Sequence, residues 1–82
     1  MYIAEIHVTL KEGILDPQGK TVHHALQNLG FESIDEVRMG KLIRLSFKND
    51  TKEAAIRITN EACKKLLANP VIEDYKYELI EV

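Results

Sequence analysis

The sequence predicts an α+β fold. Two helices lie on one face of a mainly antiparallel sheet, in the order β-α-β-α-β, with a long middle strand bent or split at Gly40. Three observations predict it. The first and last segments alternate apolar and polar side chains, the period of a strand with one wet face. Two inner segments repeat apolar residues every three or four positions, the period of an amphipathic helix. Between those helices the apolar residues Val37, Met39, Ile43, Leu45 and Phe47 fall on odd positions, as in a strand.

The first strand is YIAEIHVTL. Ala4, Ile6, Val8 and Leu10 share one face, and Glu5, His7, Thr9 and Lys11 the other. Lys11-Glu12-Gly13 ends it. Asp16-Pro17 then starts a helix. The Asp16 carboxylate can accept the free N–H groups of the first turn, and Pro17 fits the first helical position, where a missing N–H costs nothing. Val22, Ala25, Leu26 and Leu29 form the apolar stripe, and Gly30 is the expected stop. The helix is placed at Pro17 to Leu29.

The middle segment, SIDEVRMGKLIRLSFK, keeps its parity across Gly40, although Lys41 interrupts the apolar face and Leu42 the polar one. A two-residue hairpin at Gly40 would scramble the faces. A continuous strand, or a three-residue turn over Met39-Gly40-Lys41, preserves them. A continuous strand of about 14 residues would run roughly 46 Å, against a radius of gyration of about 12 Å for a domain of this size. It must bend at Gly40 or reach beyond its own domain. Asp50, with Glu53 three residues on, suggests a capping box opening the second helix. Ala55, Ile58, Ala62 and Leu66 form its stripe, with Thr59 and Cys63 beside them, and Asn69-Pro70 closes it. In the last strand Tyr75, Tyr77 and Leu79 oppose Asp74, Lys76 and Glu78.

With 82 residues the chain is a single domain, 1–82. A chain this short buries only roughly 60% of its unfolded surface, so its core is thin. Its lone cysteine, Cys63, allows no internal disulfide, and no Cys/His spacing suggests zinc. Oligomerisation is the remaining supplement. A net charge of −2 without a basic stripe argues against nucleic acid. No apolar run approaches the ~20 residues of a membrane span. Strand-like alternation begins directly after Met1, so no signal peptide is expected, and an unpaired cysteine agrees with a reducing cytoplasm.

The sequence offers little catalytic chemistry. The helical neighbours of Cys63 are Thr59, Asn60, Leu66 and Leu67, none of them a base, so it is expected to be a buried structural thiol. His23 and His24 are about 100° apart on a helix, which makes them a solvated or interface pair. His7 is placed on the polar strand face. The glycines of GILDPQGKT do not make a phosphate loop, because five residues rather than four separate Gly13 from Gly19. The helix start beside Lys20 could still favour an anion. No catalytic, metal-binding or cofactor-binding residue is assigned.

Three blocks, VTLKEGILDPQGKTVHHALQNLGF, VRMGKLIRL and KKLLANPVIEDYKYEL, resemble the PurS family, the small subunit of phosphoribosylformylglycinamidine (FGAM) synthase. The resemblance spans essentially the whole chain. It implies a complex that makes FGAM from formylglycinamide ribonucleotide, glutamine and ATP with Mg, in the fourth step of purine biosynthesis. It implies a large synthetase subunit, PurL, and a glutaminase subunit, PurQ, joined by a dimeric small subunit without an active site or cofactor of its own. By that analogy the candidate subunit-interface residues are Asp16, Pro17, Gln18, Gly19, Lys20, Arg38, Gly40 and Lys41. The residues alone leave a second reading open: a small dimeric α+β ligand-binding or sensor domain, with a pocket between its protomers.

Overall fold

The first alternating segment becomes the middle of the sheet. A computed structural model describes residues 1–82. β1 (Tyr2–Leu10) is flanked by β2 (Gly40–Phe47) and β3 (Glu73–Glu81), both antiparallel to it, in the order β2-β1-β3. The register places Ile6 between Ile43 and Tyr77, and Ala4 between Leu45 and Leu79. One face is therefore apolar, and on it Ala4, Ile6 and Val8 are buried. The other carries Glu5, His7 and Thr9 beside Arg44, Lys76 and Glu78, and Arg44 Nε lies 3.5 Å from Glu5 Oε2.

α2 (Lys52–Ala62) covers the apolar face and continues into a π-helical turn, Cys63–Leu67. Its sheet-facing residues are small. Ala55, Thr59 and Cys63, four apart, are each fully buried and let the helix approach the sheet closely. Cys63 and Ala68 pack with Ile6 and Val8, and Ala55 packs with Ala4 and Phe47. Tyr77 Oη donates to Asn60 Oδ1 at 2.9 Å and fixes the helix across β3. Thr51, not Asp50, is the N-cap: its Oγ1 accepts from Ala54 N at 3.1 Å, and Glu53 takes no part in a capping box. The expected stripe also shifts near its end. The π turn is wider than an α turn, so after Cys63 the core-facing position falls on Leu67, while Leu66 is 82% exposed.

The class, element order and antiparallel pairing are as expected, but the placement of α1 (Pro17–Asn28) is different. α1 has no extensive packing against the sheet or α2. It stands away from them, and the molecule measures 49 × 28 × 14 Å with a radius of gyration of 16.3 Å. Of its stripe, Val22 and Leu26 are half-buried, while Ala25 and Leu29 are exposed. The helix closes as the glycine predicted, with Gly30 N donating to Gln27 O and Phe31 N to Leu26 O, each at 3.0 Å. The middle strand is split at Gly40. Pairing with β1 starts there, opposite Thr9, and residues 34–39 leave the sheet as an irregular strap beside α1. This removes both the overlong continuous strand and the three-residue turn.

The π turn separates two adjacent leucines. In urea denaturation of the dilute chain, Leu67→Ala is expected to cost on the order of 2 kcal/mol. Leu66→Ala should stay within about 0.5 kcal/mol, as at an exposed site. A reversed ranking, with Leu66→Ala the costlier, would mean that the helix runs on without the turn.

Candidate subunit interface

Asp16 is polar yet only 5% exposed, because both of its oxygens are used. Oδ1 accepts from Gly19 N at 2.9 Å, the expected helix cap, and Oδ2 accepts from Met39 N at 2.7 Å. The second bond spans 23 positions and joins the start of α1 to the strap as it enters β2. The amides of Gly19 and Met39, in that order, hold the carboxyl below the usual aspartate range. Burial opposes the shift, and the Arg38 charge assists it.

Gly19 lies where the strap crosses α1. A Cβ there would come 2.2 Å from the Val37 carbonyl oxygen, so no larger residue fits without moving backbone. Gly40 is constrained in the same way, and its φ is not positive. A Cβ on Gly40 would lie 2.8 Å from the Val8 carbonyl oxygen. The glycine thus permits close approach to β1 rather than a left-handed bend.

Arg38 binds the opposite side of the loop. Its Nη1 donates to Ile14 O at 3.1 Å and its Nη2 to Lys11 O at 3.2 Å. Lys11 is in turn tied to the third strand. Its N–H donates to Ile72 O at 2.9 Å, and its Nζ lies 3.0 Å from Asp74 Oδ1. Lys41 Nζ is 3.6 Å from Glu73 Oε2. All eight residues singled out by the resemblance therefore gather around Asp16, although they come from two segments. They line two clefts, of about 450 Å³ and about 260 Å³, that share Asp16. Asp16, Gly19 and Arg38 build this corner. Pro17, Gln18, Lys20 and Lys41 are exposed on it.

Several side chains take other roles. His23 Nε2 lies 2.7 Å from Ile34 O, so this histidine holds the strap rather than forming a solvated pair with the exposed His24. The Gly19 amide that an anion would use at the helix start is already taken by Asp16. Cys63 is buried, and its burial pushes the thiol pKa up, away from the thiolate a nucleophile needs. His7 is exposed on the open sheet face, and no group of three or more His, Cys, Asp or Glu converges as metal ligands would. Sequence reasoning missed Met39, Val37 and Ile34, which act through backbone atoms. The available signal was Gly19 itself, a poor helix former in a first turn, which marks a close backbone approach.

A lowered carboxyl pKa stabilises the fold above the unfolded value, about 3.9. That contribution fades as pH falls through the lower folded value. Asp16→Asn keeps an acceptor for Gly19 but offers Met39 N an amide donor, and Asp16→Ala keeps neither bond. Melting temperatures at pH 7 should rank wild type, then Asn, then Ala. The gap between wild type and Asp16→Asn should narrow below about pH 4, and a gap unchanged down to pH 2 would contradict the role given to the charge. Gly40→Val should cost about 1–3 kcal/mol, the range for overpacking, measured by the same melts.

The family model described as PurS, phosphoribosylformylglycinamidine (FGAM) synthase, matches residues 3–81. The chain is 44% identical to the phosphoribosylformylglycinamidine synthase subunit PurS of Bacillus subtilis (strain 168), over 100% of this chain and 96% of that one. Its structure is similar to crystalline PurS of Methanocaldococcus jannaschii, described as one of the subunits of formylglycinamide ribonucleotide amidotransferase in the purine biosynthetic pathway. The TM-score is 0.88 at 40% identity, covering 100% of this chain and 99% of that one. A chain in the structure of PurLQS from Thermotoga maritima matches with a TM-score of 0.82 at 30% identity, covering 98% and 99%.

Proposed function

The chain belongs to the PurS family of FGAM synthase, and from that membership we propose that it is the small, non-catalytic subunit of that enzyme. It bridges the large synthetase subunit, PurL, and the glutaminase subunit, PurQ, so that ammonia released from glutamine reaches the synthetase. The complex converts formylglycinamide ribonucleotide, ATP and glutamine to FGAM, a C–N bond-forming ligase reaction of purine biosynthesis. ATP and Mg belong to the synthetase, and this chain binds neither. The site of action is the cytoplasm, a reading compatible with a structure in which no helix is long and apolar enough to cross a membrane.

The observation that carries the bridging role is α1. Its own chain leaves Ala25 exposed, Leu29 73% exposed and, just past the helix, Phe31 53% exposed. Only 10 of 82 residues are buried, so the isolated chain has little core with which to hold such an arm. A second copy and the two larger subunits supply the missing cover. The same reasoning supports a homodimer or higher oligomer. The sensor-domain reading is not favoured, since family membership accounts for residues 3–81.

Reconstitution tests the proposal. Glutamine-dependent FGAM formation by purified synthetase and glutaminase subunits should require this chain, and a rate unaffected by its omission would refute the bridge. Lys20→Glu should weaken assembly while the chain melts almost normally, since an exposed lysine contributes roughly 0–1 kcal/mol. Sedimentation equilibrium at micromolar concentration should show no major 9.4 kDa species.

A further inference from the structure

We propose that Arg38 is a positioning residue for the glutamine-dependent reaction: it sets how α1 stands away from the sheet, and hence how the helix start meets the partner subunits. This inference rests on the bridging role above.

Since α1 lacks extensive packing on the sheet or α2, its direction depends on the connections at its base. Those are the loop 11–16 and the strap. The loop contains a turn in which Ile14 N donates to Lys11 O at 3.2 Å. The Arg38 guanidinium spans that turn from the strap, donating to the carbonyls at both of its ends. Lys11 continues the path into the sheet through Ile72 O and Asp74. Asp16 and His23 already bond α1 to the strap, and the Arg38 guanidinium adds the link from strap to loop and, through Lys11, to the sheet. A planar fork with donors on separate nitrogens fixes the direction of both carbonyl contacts, whereas a lysine is one point charge on a flexible stem. Arg38 stays exposed while making these bonds, so its loss removes no buried apolar contact. The orientation of the arm is expected to suffer more than the fold.

The test is a titration of the intact chain into fixed amounts of the synthetase and glutaminase subunits, with glutamine as nitrogen donor. The chain concentration giving half-maximal turnover should rise about tenfold for Arg38→Gln, the equivalent of losing about one charge-assisted hydrogen bond. Arg38→Lys should recover part of that loss. Turnover at saturating chain should stay within about twofold of wild type, because a misdirected arm costs binding rather than chemistry. Leu67→Ala, which alters core packing and none of the Arg38 hydrogen bonds, serves as the destabilised control. A half-saturation value unchanged in Arg38→Gln overturns the inference, and so does a rise that the control shares in proportion to its loss of melting temperature. If the wild-type chain gives no stimulation, the bridging role itself has failed and the inference falls with it. Wild-type stimulation with an unaffected Arg38→Gln refutes only the positioning role.

Discussion

A carboxylate has two oxygens, and at Asp16 they serve amides from different parts of the chain. One belongs to Gly19 in the first turn of α1, the other to Met39 just before β2. The first bond decides where the helix begins. The second decides where the returning chain meets the sheet. Between these points lie 22 residues, a helix and an irregular strap, with little core of their own. The two bonds therefore substitute for packing. They also require bare backbone beside them, which is why both neighbouring close approaches are made by glycine.

The rest of the molecule follows a different logic. Sheet and α2 form two layers in which the helix contributes small side chains, Ala55, Thr59 and Cys63, against Ala4, Ile6 and Val8 of the central strand. Small residues bring the layers close but bury little area each. Stability at this contact comes from fit along one helix face, with larger side chains such as Phe47, Leu45 and Leu79 filling its margin. The Thr59 hydroxyl is buried there without a hydrogen-bond partner, a cost that close packing must offset.

Much of the fold was legible in the sequence because it depends on local period. β1 runs over the predicted residues, and Tyr75, Tyr77 and Leu79 face the core as their alternation requires. Asp16-Pro17 and Gly30 marked the ends of α1 because capping is a local act. What depends on another segment was hidden. Helical period revealed a stripe on α1 but not that its own sheet would leave the stripe uncovered. The π turn has no signature in CKKLL, so Leu66 and Leu67 exchanged roles. At the corner around Asp16, family resemblance supplied the residues. Their convergence required the bond from Met39 N, which no side chain announces.

The flat, extended outline has a hydrodynamic consequence. A slab of 49 × 28 × 14 Å meets more friction in water than a sphere of equal mass. Its diffusion is slower than its mass alone dictates. On a sizing column, a single copy would elute early and imitate a larger assembly. Pairing two such slabs so that each arm lies over its neighbour would thicken the particle and lower its frictional ratio. Mass would double while the apparent radius grew by much less. Elution volume and mass are therefore separate observables for this chain, and their ratio reports whether the arm is covered.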